Sequence, residues 1–328
     1  MFVETLSALD LSRVPTGVVS RFWLSLAHDA FGEPIRVPIL VARGTRDGPV
    51  CGITAAVHGN EVNGIPVIHR LLERLDVQKL RGTVVAVPVV NTAGFHLRTR
   101  RTDDGVDLNH AFPGKPQGRE HEVYAWRFFE RVVRQVDLLM DLHTASFGRV
   151  NCLYIRADLT DPDTTRMAML NRPQIIVHNP PLDGTLRGAA HHAGIPAVTI
   201  EIGNPHRINK EYVRRSVAGI RAVLSSRGMV TKRPITMSEP PVICQQSGWS
   251  YTQSGGLLSV APKVTEHVKK GQPLSRIVNI FGDLVEEYAA PHDGSVVAHS
   301  GYPVAQTGAR SLHLGVVAPP DSPLIPRL

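Results

Sequence analysis

The sequence predicts an α/β protein, a mixed sheet flanked by helices, that gives way near residue 234 to a smaller all-β domain. Three observations lead there. Apolar, β-branched runs alternate with stretches of helical spacing as far as about residue 230. Several of those runs end in histidine, asparagine or glutamate rather than in plain turn residues. Beyond Pro234 the texture changes to short β-prone pieces between Gly and Pro turns, with little helical periodicity.

In order along the chain, residues 37–42 and 51–57 read as two strands joined through Gly44, Asp47, Gly48 and Pro49. Pro38 places the first of them towards a sheet edge. After Glu61, the residues Ile65, Ile68, Leu71, Leu72 and Leu75 recur at helical spacing, and Pro66 is tolerated in a first turn. Residues 83–90 form a further buried strand. A long polar passage from Asn91 to Gly118 follows, and an aperiodic stretch of that length inside a compact domain points to function. Its run Asp107-Leu108-Asn109-His110-Ala111-Phe112-Pro113-Gly114 mixes apolar anchors with turn residues, which argues against disorder.

Val123, Trp126, Phe129, Val132 and Val133 mark an amphipathic helix that leads into a strand at 136–142. That strand delivers His143, followed by Thr144 and Ser146. Residues 150–155 and 174–177 are further strands, 185–193 a short helix, and 197–200 a strand ending in Glu201-Ile202-Gly203. Tyr212, Val213, Val217, Ile220 and Leu224 give the last helix. In the β domain, residues 240–244, 255–261, 275–279, 284–289, 294–299 and 311–317 read as strands. The texture around Val268-Lys269-Lys270-Gly271 and Ala290-Pro291-His292-Asp293-Gly294 resembles the barrel-sandwich fold of biotinyl and lipoyl carriers. No lysine-bearing hairpin tip accompanies it, so a structural or site-covering module is expected rather than a swinging arm.

His58, Asn91, His143 and Glu201 share one feature: each sits at the C-terminal end of an expected buried strand. Ligands in open α/β sheets bind at that rim. His58 and Glu61, three residues apart on one loop, form a metal-ligand pair in outline, and imidazole with carboxylate suits zinc. A single His-x-x-Glu match arises easily by chance, and a lone histidine at a strand end is usually structural. Two histidines and two glutamates brought to one rim are far rarer, and a metal site is therefore expected there.

Composition narrows the function classes. The chain has 36 Lys+Arg against 29 Asp+Glu, a net charge of +7, and only 5% aromatic residues. Arginines do not cluster with interleaved aromatics, so no nucleic-acid partner is expected. A positive pocket for an anionic small substrate is the better use of the charge. Cys51, Cys152 and Cys244 are too few and too scattered for a disulfide framework. No apolar run approaches a membrane span, and residues 1–14 carry Glu4 and Asp10 without a basic start, so a soluble cytoplasmic protein is expected.

Four ordered motifs carry a resemblance that covers nearly the whole chain. They are His58-Gly59-Asn60-Glu61; Thr99-Arg100-Arg101 leading to Asp107-Leu108-Asn109 and Phe112-Pro113-Gly114; Asp141-Leu142-His143-Thr144; and Thr199-Ile200-Glu201-Ile202-Gly203. In these the chain resembles the succinylglutamate desuccinylase and aspartoacylase family, relatives of the zinc carboxypeptidases. The resemblance implies a zinc-carboxypeptidase-like sheet, one Zn2+ per chain on His58, Glu61 and His143, and Glu201 as the general acid-base residue. It implies that Arg100 polarises the scissile carbonyl, with Arg101 the alternative, and that Asn109 helps hold the substrate. One departure stands out: the family usually carries arginine directly after that asparagine, and here the residue is His110.

The expected activity is hydrolysis of the amide bond of a small, anionic N-acylated amino acid or related amine, and a homodimer is plausible by the same resemblance. A metallocarboxypeptidase is the first rival, weakened by His110. A binding or carrier protein on a degenerate scaffold is the second, and the intact set of four residues argues against it. Asp141 is a candidate to support a ligand. Lys115, Arg119, Arg187 and Arg207 are candidates to neutralise substrate charge. The domains are expected at residues 1–233 and 234–328.

Overall fold

A computed structural model describes residues 3–182, 184–231 and 239–326. In chain order the strands are β1 (Glu4–Leu6), β2 (Val18–His28), β3 (Pro34–Arg43), β4 (Arg46–Ala55), β5 (Arg81–Val87), β6 (Leu138–His143), β7 (Arg149–Asn151), β8 (Leu153–Ala157), β9 (Ile175–His178) and β10 (Ala197–Ile202). The later strands are β11 (Val242–Tyr251), β12 (Gly256–Val260), β13 (His267–Val268), β14 (Pro273–Val278), β15 (Leu284–Ala289), β16 (Gly294–Ser300), β17 (Val304–Ala305) and β18 (Arg310–Val317). The helices are α1 (Gly64–Glu73), α2 (Thr92–Leu97), α3 (Glu120–Arg131), α4 (Pro162–Leu170), α5 (Leu186–His192) and α6 (Lys210–Ser226).

Fourteen strands form one mixed sheet in the order β1-β2-β3-β5-β4-β6-β10-β8-β9-β11-β18-β16-β13, with β7 paired to β16. Its centre, β5-β4-β6-β10, is parallel throughout, so the C-terminal ends of these four strands share one rim. Alternation along β6 sorts the two faces. Leu138, Met140 and Leu142 pack in the cluster that includes α1, α4 and α6, whereas Leu139 packs with Phe128 of α3 and Ala189 of α5. Asp141 and His143 lie on that second side, by the period of two along a strand. This is why an otherwise buried strand carries two polar residues at alternate positions.

Three expectations need correction. Strands β3 and β4 are not neighbours; β5 lies between them, paired antiparallel to β3 and parallel to β4. Pro38 belongs to an inner strand, opposite Trp23 of β2. The ladder to β5 covers only Leu40–Arg43, so at Pro38 the strand has a partner on one side alone and tolerates the missing N–H locally. The stretch expected as one strand at 150–155 is split. β7 pairs with β16, β8 pairs with β10 and β9, and Cys152 between them donates its N–H to Val297 O.

The C-terminal strands divide. β11, β18, β16 and β13 prolong the main sheet through the parallel β9–β11 pairing, while β15, β14, β12 and β17 make a separate four-stranded sheet. Val268, Leu274, Ala290, Val296, Leu312 and Leu314 form the core of this part, with Leu258, Ile277 and Ala305 beneath the smaller sheet. The boundary expected at 233/234 lies outside the described residues. All three cysteines are buried and free.

Candidate active site

His58 reaches the rim through a left-handed backbone at Ala56 (φ 49°), whose carbonyl accepts from Asn91 N while Ala55 O accepts from Val90 N. The loop after β4 is thereby tied to the loop after β5. Gly59 is required by packing, because a Cβ there would lie 2.0 Å from the carbonyl carbon of Gly94 in α2. Glu61 N closes the turn onto His58 O at 3.0 Å, so the two side chains emerge together.

Their partner is His143. His58 Nδ1 and His143 Nδ1 stand 3.1 Å apart, and each lies 3.0 Å from an oxygen of Glu61. Ligand atoms of the three residues all fall within 4.8 Å of one another, and none of the residues is more than 3% exposed. The far nitrogen of each ring meets a carboxylate: His58 Nε2 is 2.9 Å from Asp107 Oδ1, and His143 Nε2 is 2.6 Å from Asp141 Oδ2. Asp141 is held in turn by Thr54 Oγ1 at 2.7 Å. With Nε2–H donated to those carboxylates, both Nδ1 lone pairs and the Glu61 carboxylate point at one place. That donor set fits a cation, and two imidazoles with one carboxylate fit zinc with an open position.

The electrostatics agree. Burial alone would raise the Glu61 carboxyl, but His58 and His143 outweigh it and hold it well below the usual range. Burial alone would lower the His143 imidazole, yet Asp141 and Glu61 carry it well above the usual value. Positive charge is favoured where these groups meet.

Arg100 is fixed across the opening. Its Nε and Nη2 donate to Asp107 Oδ2 at 3.0 and 2.9 Å, and its Nη1 donates to Glu61 Oε1 at 2.8 Å and Ser146 Oγ at 3.1 Å. Ser146 Oγ also donates to Glu61 Oε1, and Thr144 N donates to Glu61 Oε2. Asn91 accepts from Gly94 N and donates to Arg100 O; it organises the loop that carries Arg100.

A cavity of about 320 Å³ opens beside these groups and is lined by His58, Glu61, His143, Arg100, Asn109, His110 and Glu201. Asn109 Oδ1 accepts from Leu186 N at the start of α5. His110 is exposed. Glu201 enters from β10, with Oε2 accepting from Asn151 Nδ2 at 3.2 Å and Oε1 4.0 Å from Arg156 Nε. Arg101 is not brought to the cavity: it is exposed and donates to Gly105 O.

The expected charge-neutralising residues are elsewhere. Lys115 pairs with Glu122, Arg119 stands exposed ahead of α3, and Arg207 lines a separate groove with Trp23. Arg187 is 1% exposed and donates to Asn179 O behind the cavity wall. Two other arginines, Arg149 and Arg156, line the cavity instead, together with Tyr154 and Trp249. The spacing Tyr154-x-Arg156 on a strand that faces Glu201 is a signal the sequence offers once the pairing of β8 with β10 is known. Trp249 comes from β11, far beyond Glu201 in the chain, and nothing local announces it.

The sheet and the site define the class: a mixed α/β scaffold that carries, at the C-terminal rim, a two-histidine, one-carboxylate group able to hold a metal ion. A model of the succinylglutamate desuccinylase/aspartoacylase catalytic domain matches residues 47–227, and the chain belongs to that family. It is 28% identical over 290 residues, 84% of each chain, to the N-alpha-acetyl-L-2,4-diaminobutyric acid deacetylase of Halomonas elongata. Among solved structures, a succinylglutamate desuccinylase/aspartoacylase from Rhodobacter sphaeroides superposes with a TM-score of 0.83 at 24% identity, covering 94% of this chain and 98% of that one. The product-bound ectoine utilization protein of Ruegeria pomeroyi gives 0.83 at 21% identity, covering 93% and 98%. These two likenesses speak for the fold. Among the described residues, no helix is long and apolar enough to cross a membrane.

Proposed function

We propose that this chain is a zinc-dependent amidohydrolase that cleaves the amide bond of a small N-acylated amino acid or related amine, releasing a carboxylate and the free amine. One observation carries the reading: His58 Nδ1, His143 Nδ1 and Glu61 meet in a cavity that Glu201 enters from the adjacent strand. The name of the Halomonas elongata relative, a deacetylase of an N-acetyl amino acid, supports the choice of substrate class.

His58, Glu61 and His143 would hold one zinc ion per chain. Zinc bound there supplies Lewis acidity, which makes hydroxide available near neutral pH. Glu201 takes the proton of the attacking water and delivers it to the departing amine nitrogen. Arg100, anchored through Nε and Nη2 on Asp107 and through Nη1 on Glu61 and Ser146, places its positive charge at the cavity, where it steadies the negative charge that develops on the carbonyl oxygen. Asn109 and His110 line the substrate's place. In this reading residues 1–233 carry the chemistry, and residues 234–328 cover the cavity through Trp249.

The test is a panel of N-acyl amino acids and short peptides assayed with zinc-replete protein, beside zinc analysis of wild type and His58→Ala. Turnover of N-acyl amino acids and about one zinc per chain, lost in the variant, is the expected result. Turnover confined to peptides would make the chain a metallocarboxypeptidase, and normal zinc in His58→Ala would displace the metal site.

A further inference from the structure

The cavity carries more positive charge than the chemistry above uses. Arg100, Arg149 and Arg156 line it, against the carboxylates of Glu61 and Glu201. Arg100 spends its donors on Asp107, Glu61 and Ser146. Arg149 is different: Nε donates to Ser146 O at 2.7 Å, and its two terminal nitrogens make no hydrogen bond to the described residues. Burial draws this guanidinium below its usual pKa; Glu201 and Glu61 oppose that, and Arg100 and Arg310 add to it.

Both arginines lie against aromatic rings. The Arg149 guanidinium lies 5.5 Å from the Phe147 ring and 5.7 Å from the Trp249 ring, and that of Arg156 lies 5.4 Å from the Tyr154 ring, with Nη2 donating to the Tyr154 hydroxyl at 3.0 Å. An aromatic neighbour helps to hold a guanidinium in place, and a guanidinium held at a cavity wall is suited to take a carboxylate in a fork. Trp249 is backed by the buried ring of His313, stacked at 4.9 Å.

Position decides what these groups bind. In an N-acylated α-amino acid the carboxylate carbon is two bonds from the amide nitrogen. Glu201 serves that nitrogen, so the carboxylate must lie within a few ångströms of Glu201, where it would be repelled unless a cation stood between. Arg156 stands 4.0 Å from Glu201 Oε1, and Arg149 lines the same cavity.

We propose that Arg149 and Arg156, seated on Trp249, Phe147 and Tyr154, form the subsite that binds the α-carboxylate of the substrate's amino-acid portion. This deepens the deacylase reading and rests on it for the identity of the amide. Arg149 and Arg156 are specificity-determining residues, and Trp249 is a positioning residue that holds Arg149.

The experiment uses N-acetyl derivatives of L-alanine, L-aspartate and L-2,4-diaminobutyrate, each as the acid and as the α-carboxamide. Zinc-replete wild type, Arg149→Gln, Arg149→Lys, Arg156→Gln and Trp249→Leu are compared in steady-state kinetics and in calorimetric binding. Wild type is expected to prefer acid to carboxamide by about 10- to 100-fold, the range of a charge-assisted pair. Arg149→Gln and Arg156→Gln close that gap through KM and the binding constant more than through kcat, Arg149→Lys restores part of it, and Trp249→Leu narrows it. A gap of equal size in wild type and both Gln variants, or no gap in wild type, overturns the subsite. Binding preference without turnover of any acid would instead retain the subsite and sink the deacylase reading.

Discussion

Glu201 lies directly beside His143, paired in register across the parallel strands β10 and β6. Neighbours in register point to the same side of a sheet, so the acid-base candidate and a ligand candidate are spaced by strand pairing and not by a loop. The same register sets Asp141 against Thr54 on β4 and Thr199 on β10, which places the support of His143 in the layer beneath. The strand-borne half of the site, His143 and Glu201, is held more tightly than residues carried on loops alone.

The first prediction separates the two glutamates. Glu61 touches both histidines and is 2% exposed, whereas Glu201 touches Asn151 and approaches Arg156. Glu201→Gln should keep about one zinc per chain and lose turnover by roughly 10²- to 10⁴-fold. Glu61→Gln should lose zinc itself, read by metal analysis after dialysis against a weak chelator. Equal zinc retention in the two variants would show that the division of roles is wrong.

Asp141 gives the second. It accepts from Thr54 and meets His143 Nε2 at 2.6 Å, so it selects the tautomer that turns Nδ1 towards Glu61. Asp141→Asn should weaken zinc affinity by about 10- to 100-fold, measured by competition with a chromophoric chelator. Thr54→Val should do the same to a smaller degree, because it loosens Asp141 without removing it. An affinity unaltered in Asp141→Asn would make this carboxylate an ordinary buried residue.

Much of this site is legible in the sequence for a physical reason. His58, Asn91, His143 and Glu201 lie at or just beyond the ends of buried strands, with Glu61 on the loop that follows His58, and strand ends are the one part of an α/β sheet whose spatial destination follows from local pattern. Arg149, Arg156 and Trp249 were not legible, because pairing between segments far apart in the chain brings them together: β7 with β16, β8 with β10 and β11 with β18. Strands β1 and β2 were missed as well. Along β2 the exposed Trp23 sits between partly buried Phe22 and buried Leu24, and that continuous apolar run hides the alternation. The order β3-β5-β4 likewise depends on a crossover that neither strand announces.

Gly59 supplies the third prediction. Its Cα rests against α2 so closely that an added Cβ would meet backbone atoms of Gly94 and Phe95, which cannot rotate away. Gly59→Ala must therefore push the 58–61 turn off α2. The expected loss is about 1–3 kcal/mol of stability, seen in denaturant unfolding, together with weakened zinc binding. An alanine variant as stable and as zinc-competent as wild type would mean that the turn has slack which this packing denies.

His313 supplies the last. It is 2% exposed, stacked on Trp249, with Nε2 bonded to Ser247 Oγ at 2.8 Å. Burial is the main cause holding its imidazole well below the usual value, and Arg156, Arg149 and Arg310 add to it. The folded protein thus keeps this ring neutral while the unfolded chain takes up a proton near the ordinary value of about 6.5. Since the unfolded state binds more protons in that interval, stability rises with pH there. The contribution is complete above about pH 6.5 and is lost as pH falls from that value through the folded pKa, at up to about 1.4 kcal/mol per pH unit. Denaturant unfolding of wild type and His313→Gln across pH 5 to 8 checks this. The stability difference between the two should shrink as pH falls below 6.5, because only wild type has a neutral ring to lose. A difference independent of pH would mean that His313 takes up its proton equally in the folded and unfolded chain, so that burial against Trp249 does not hold the ring neutral.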